Sequence, residues 1–217
     1  MRRMKGKLFY LLAALFLMAA GCAEKKQEKD MVRSMIYLYP RNALEVSVQP
    51  ENDGEISCSY PSCGKEWNII ARPDGTMTNL DDGQEYSCLF REYTAVGIPA
   101  ENPQEGFVVE GRETAAFLQE TFSKMGLIPS EYNELILSWL PQMTDNPWNL
   151  IMVDVKVDSV PEELRILPEP DSVIQVFMSY KALDAPIDAE QPEVESLQRE
   201  RRGFTVVEIC GAELTHS

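Results

Sequence analysis

Four thiols, a single imidazole and an excess of carboxylates set the chemistry open to this chain. Cys58, Cys63, Cys88 and Cys210 form an even set in the body of the sequence, which in an exported chain reads as two disulfides. Cys58 and Cys63 flank Ser59-Tyr60-Pro61-Ser62, long enough for a turn, and pairing them leaves Cys88 for Cys210. The same thiolates could hold zinc, but the usual knuckle is C-x2-C and the spacing here is C-x4-C with no second pair. Free thiols are the third possibility. The only histidine is the penultimate residue, His216, so Ser-His-Asp and Cys-His dyads, HExxH and multi-His metal sites are not on offer. Phosphate-loop, dinucleotide and nucleophile-elbow motifs are missing as well. What survives is carboxylate chemistry. A glycosidase needs two acids at a set separation across a sugar, and among 35 Asp and Glu spacing selects no pair. The densest oxygen cluster, Asp74-Gly75…Asn79…Asp81-Asp82-Gly83, misses the EF-hand spacing and reads better as Asp-Gly turns. No catalytic residue, cofactor or metal is assigned.

The fifth cysteine is different. Cys22 follows Arg2, Arg3, Lys5 and Lys7, an apolar run from Leu8 to Met18, and the small residues Ala19-Ala20-Gly21. That order is a secretory signal peptide. The apolar run through Ala20 is 13 residues, short of the roughly 20 that span a bilayer. With Cys at the cleavage point the segment resembles a bacterial lipoprotein signal. The resemblance implies that residues 1–21 are removed, that Cys22 carries a thioether-linked diacylglyceryl group with palmitate-like acyl chains, and that the protein sits on the extracytoplasmic face of a membrane. Ala19 stands where such signals usually have Leu. Two acyl chains suffice for stable anchoring.

Loss of residues 1–21 takes the formal charge from −15 to −19, because it removes four basic residues and no acid. Such a surface repels nucleic acid and anionic headgroups. The partners expected are the bilayer, through Cys22, and an envelope protein or a glycan.

The elements that would position any site follow from periodicity. Residues 22–34 are charged and aperiodic and read as a lipidated N-terminus and tether. Met35 to Pro40 is apolar on both parities, as in a buried central strand. Leu44 to Gln49 alternates, Asn52-Asp53-Gly54 marks a turn, and Ile56 to Tyr60 returns, which predicts a hairpin over 44–60. Further strands are predicted at 67–72, 76–80, 86–90 and 106–109. Helical spacing then takes over at Thr114–Met125, with Gly126 as its C-cap. A second helix starts at Pro129-Ser130, with Ser130 as N-cap, and stops at Pro141. Strands are predicted again at 150–157, 172–180 and 204–209, and 184–202 reads as a surface excursion. Residues 35–211 then form one globular domain and 212–217 a tail. The fold class is α+β: an antiparallel, sandwich-like sheet of about eight to ten strands, with a two-helix hairpin insertion packed on it.

Aromatic residues are the candidate ligand contacts. Trp148 lies in Asn146-Pro147-Trp148-Asn149, which looks like a loop, where a large ring would need a reason to be exposed. Trp67 and Tyr60 could stack on sugar or peptide, or pack in core and rim.

Met35-Ile36-Tyr37-Leu38-Tyr39-Pro40, Ala71 to Thr76 after Trp67, Gly106 to Val109, Trp139-Leu140-Pro141, Asn146 to Leu150 and Gly203-Phe204-Thr205-Val206-Val207-Glu208 together resemble a family of uncharacterised bacterial exported or lipoprotein-like proteins. The likeness implies one domain over residues 35–211 and brings no activity. The expected role is a non-enzymatic extracytoplasmic binding module; a carboxylate-dependent glycan hydrolase and a purely structural envelope protein are the alternatives.

Overall fold

A computed structural model describes residues 29–51, 56–96, 105–157, 164–194 and 200–214. Residues 1–21, expected to be a signal peptide, and Cys22 and His216 lie outside the described residues. The fold is α+β and mostly sheet: among the described residues there are twelve strands in two sheets, with two α-helices. The strands are β1 (Lys29–Tyr39), β2 (Leu44–Pro50), β3 (Ile56–Tyr60), β4 (Trp67–Ala71), β5 (Met77–Asn79), β6 (Glu85–Tyr86), β7 (Leu89–Val96), β8 (Phe107–Glu110), β9 (Trp148–Val157), β10 (Leu164–Leu167), β11 (Ser172–Leu183) and β12 (Thr205–Glu213). The helices are α1 (Thr114–Lys124) and α2 (Pro129–Met143). No helix among the described residues is long and apolar enough to cross a membrane.

The larger sheet runs β3-β7-β1-β12-β11-β9-β8, and the smaller runs β10-β2-β4-β5-β6. β1 lies inside the larger sheet, and period 2 sends its residues to opposite faces. Met35 and Tyr37 face the helices, sharing a core with Leu118, Phe122, Leu135 and Trp139. Ile36 and Leu38 face the smaller sheet, sharing a core with Val46, Trp67, Ile69 and Val206. The strand starts earlier than its apolar run, since Lys29 to Ser34 already pair with β7. Residues 29–34 of the expected 22–34 tether are therefore strand. Backbone pairing is blind to side-chain polarity, and this strand is flanked on both sides.

The hairpin expected over 44–60 does not form. β2 pairs with β4 and β10, whereas β3 joins the other sheet beside β7. The reason is apolar surface. Trp67, Ile69 and Ala71 of β4 are all buried, while Ser57, Cys58 and Tyr60 of β3 are exposed, so β3 has little to offer an inter-sheet core. β4, β5 and β6 form a meander, but the strand expected over 86–90 is split, because Tyr86 ends β6 in the smaller sheet and Leu89-Phe90 open β7 in the larger. Gly75 and Gly83 take positive φ at its turns, as Asp-Gly turns require.

Helix α2 departs from expectation at both ends. Pro129 is its first residue, Ile128 its N-cap, and the Glu131 side chain accepts the Ile128 N–H at 2.9 Å; Ser130 caps nothing. Pro141 does not stop the helix, which continues to Met143. So close to the C-terminus, a proline removes one hydrogen bond and leaves the rest of the turn intact. Gly126 follows α1 with φ 86°, as expected of a C-cap.

Among the described residues, one pairing between the named strands is not antiparallel. β11 runs parallel to β12, and a parallel neighbour needs a long crossover. Residues 184–204 are that crossover, which explains their length. Trp148, expected in a loop, opens β9, opposite Glu110 and Leu183. The short β10 had no counterpart in the predicted strands.

Candidate functional site

Three polar clusters are built by the two sheets and the helices. The deepest lies on the face of the larger sheet away from the helices. Arg91 of β7 and Glu208 of β12, both side chains fully buried, form an ion pair at 3.0 Å. Ser34 donates to the same Glu208 oxygen at 2.6 Å, and the Gln175 amide donates to the other at 2.9 Å. The Arg91 guanidinium lies 4.5 Å over the Tyr93 ring. Burial is the largest single influence and works against its charge, but Glu208, Tyr93 and Cys210 together raise its pKa above the usual arginine value. Cys210 sits on the same face; burial first, and the Glu208 charge second, push its thiol well above the ordinary range. A buried thiol of this kind is a poor nucleophile.

The second cluster fastens the crossover to α2. Arg201 donates two hydrogen bonds of 2.7 Å to the Glu131 carboxylate and a third of 3.2 Å to the Gly126 carbonyl. Its guanidinium also lies 5.4 Å from the Tyr39 ring centre. A bidentate arginine–carboxylate pair is specific in geometry as well as strong. One turn along α2, Glu134 accepts from Tyr37 at 3.0 Å and from Ser87 at 2.9 Å. Burial, aided by Glu134, raises the pKa of both Tyr37 and Cys88. These hydroxyls and thiols are held in the neutral form, as donors.

The third cluster is at the surface. Tyr60 ends β3, a terminal strand of the larger sheet, and is 64% exposed. Its ring meets Tyr86 of β6, the terminal strand of the smaller sheet, edge-on at 5.2 Å. The Tyr86 hydroxyl donates to Asp82 at 2.8 Å. That bond is the main cause of a Tyr86 pKa raised to about 12. The backbone N–H of Gln84, and then Tyr86, lower the pKa of Asp82. Leu80 is exposed on the same loop. Asp74 accepts from the Thr76 N–H and hydroxyl, so the acids of this stretch act as turn caps.

Among the residues expected to touch a ligand, only Tyr60 is fully placed to do so. Trp67 is a correction: it is 1% exposed between the sheets and its indole N–H donates to the Pro61 carbonyl at 2.9 Å. Trp148 is half-buried in β9. The neighbouring Asn149, fully buried, explains the local sequence better. Its amide donates to Thr114 Oγ1 at 3.0 Å and to the Met143 carbonyl at 2.9 Å, tying the start of α1 to the end of α2. The expected disulfides are not formed, and Cys58, Cys63, Cys88 and Cys210 are free thiols. Cys88 lies by Glu134 on the helix side of the sheet, whereas Cys210 lies by Glu208 on the other face. Cys58 is exposed on β3, and Cys63 is half-buried, its pKa raised to about 11, chiefly by burial.

Arg91, Glu208 and Arg201 were not assigned a partner by sequence, and Glu131 was read only as an acid near the N-terminus of the second helix. One signal was present. In Leu89-x-Arg91-x-Tyr93 and Val206-x-Glu208-x-Cys210 a charge occupies the parity of buried residues, and such a charge requires a partner.

No protein-family model, curated protein or solved structure matches this chain.

Proposed function

We propose that this is a lipid-anchored extracytoplasmic binding module, held at the membrane by Cys22, which engages a glycan through the Tyr60–Tyr86 surface. The observation that carries the proposal is an aromatic ring left 64% exposed yet fixed by a second ring 5.2 Å away. A ring with that much apolar area in water is a stacking platform for the C–H face of a sugar. Leu80, Asp81 and Gln84, on the loop whose Asp82 holds Tyr86, are exposed and supply an apolar rim, acceptors and a donor. The acidic surface favours neutral or amino sugars over acidic ones. In this reading the two sheets are the layers of a sandwich, and α1 and α2 are a hairpin insertion between β8 and β9 that leaves the Tyr60 side open.

The test is retention of the detergent-solubilised full chain on insoluble envelope glycan. Tyr60→Ala and Tyr86→Ala should each weaken retention about ten-fold, or ~1.4 kcal/mol. Unchanged retention in both variants would remove this surface from the function. Membrane fractionation tests the anchor separately. Cys22→Ser should move the protein out of the membrane pellet, and a variant that stays there would refute lipidation.

A further inference from the structure

The turn after β1 and the entry to β12 bring two arginines, distant in sequence, to one open cleft of about 450 Å3, lined by Arg41, Asp171, Arg202 and Gly203. We propose that this cleft is an anion site, with Arg41 and Arg202 as the arms that hold the carboxylate or phosphate of a small ligand.

The backbone beneath Arg202 is pinned while its side chain is left in water. Its N–H donates to Ser172 Oγ at 3.1 Å, and its carbonyl accepts from Ser172 Oγ at 3.0 Å and from Thr205 Oγ1 at 3.1 Å. Both hydroxyl residues are buried. The next two residues are locked as well. Asp171 Oδ2 accepts the Phe204 N–H at 2.7 Å, and the Phe204 carbonyl accepts the Asp171 N–H at 2.8 Å. Gly203 takes φ 57°, and a Cβ there would lie 1.9 Å from Asp171 Oδ2. Ordinary solvation accounts for a run such as Arg199-Glu200-Arg201-Arg202 being charged, but it requires no such anchoring. A fixed backbone under a charged arm reduces the entropy lost when the arm closes on a ligand.

The two neighbouring arginines divide their work. Arg201 turns inward to Glu131, and Arg202 turns out to the cleft. There its carboxylate contact among the described residues is Glu200 at 3.3 Å, with both side chains more than half exposed, a pair worth little. Arg41 is exposed and makes no ion pair among the described residues. On a chain of formal charge −15, two arginines across a cleft balance the carboxylates of Asp171 and Glu200 there, so this spot lacks the excess negative charge of the chain as a whole. Arginine presents a planar fork of donors matched to an oxyanion.

Asp171 narrows the ligand. One of its oxygens is taken by the Phe204 amide, and the carboxylate disfavours a bare anion. A group carrying a hydroxyl or ammonium donor beside its oxyanion suits the cleft better, as in a hydroxy acid or a sugar acid.

The experiment is a titration of the full chain in detergent, at constant ionic strength, with glucuronate, inorganic phosphate and glucose, followed by chemical-shift change or thermal shift. Glucuronate should bind, glucose should not, and Arg41→Ala and Arg202→Ala should each weaken glucuronate ten-fold or more. Arg41→Lys and Arg202→Lys, which keep the charge and lose the fork, should fall between wild type and Ala. Phosphate binding without glucuronate binding, lost in the same variants, would support the site with a phosphate ligand instead. Binding of neither anion, or binding that survives the double Ala variant, would overturn it. Both side chains being exposed, an unchanged near-ultraviolet spectrum establishes that the variants fold. Tyr60→Ala should leave anion binding intact, which separates this site from the aromatic surface.

Discussion

Arg91 and Glu208 meet at 3.0 Å over Ser34, a residue of the strand that separates theirs. Only a small side chain at that place lets two long ones cross, and its hydroxyl also donates to Glu208 at 2.6 Å. Removing one member leaves the other charge buried without its partner. Arg91→Met should therefore cost about 3–5 kcal/mol, while Arg91→Met with Glu208→Leu should recover most of the loss. Urea unfolding of the two singles and the double checks this. A double variant as unstable as the sum of the singles would show that the pair does not act as a unit.

Glu131 closes two devices, the N-terminus of α2 and the anchorage of the crossover through Arg201. Glu131→Ala should cost roughly 2–3 kcal/mol, as expected for charge-assisted hydrogen bonds. Limited proteolysis supplies the distinguishing readout, because cleavage within 184–203 should speed up more than cleavage elsewhere.

Asn149 bridges Thr114 and the Met143 carbonyl from a fully buried position. Asn149→Leu removes both of these bonds and buries an apolar group against their polar partners, and should cost about 1–3 kcal/mol. Asn149→Asp, unable to donate, should be no better. A loss below half a kilocalorie in denaturant titration would mean water replaces the amide.

The thiols should react in the order of their exposure. Cys58 is exposed and should be modified promptly by Ellman's reagent in the native Cys22→Ser protein. Cys63, at a pKa of about 11 and half-buried, should follow slowly, and Cys88 and Cys210 should wait for unfolding. Two intact disulfides would instead give no reaction even in denaturant.

Tyr86 should ionise near pH 12, against roughly 10 for a free tyrosine. The raised value means that the Tyr86–Asp82 contact is fully present below the unfolded value and is lost as pH rises through the folded one. Absorbance titration of Asp82→Asn should show one tyrosine moving back toward 10. No change would place the cause elsewhere.

Much of the scaffold was legible before folding was considered. The alternation of Leu44–Gln49, the 3.6-residue spacing of Leu118 and Phe122, and the Asp-Gly turns at Gly75 and Gly83 are local, because period and turn chemistry are properties of the backbone. The doubly apolar Met35–Tyr39 likewise showed a strand covered on both faces. Composition argued against multi-histidine catalysis and made a nucleic-acid partner unfavourable. Pairing was not local. β3 left β2 because its side chains could not fill the inter-sheet core, and β11 met β12 in parallel because 184–204 is long enough to cross. The Arg91–Glu208 pair, the Arg201 clasp, the Tyr60–Tyr86 surface and the Arg41–Arg202 cleft join residues from 26 to 161 positions apart. A sequence sets which side chains will need a partner, since an unpaired buried charge is costly wherever it lies; which partner arrives is decided by strand order, and strand order is set by the competition for buried apolar area over the whole chain.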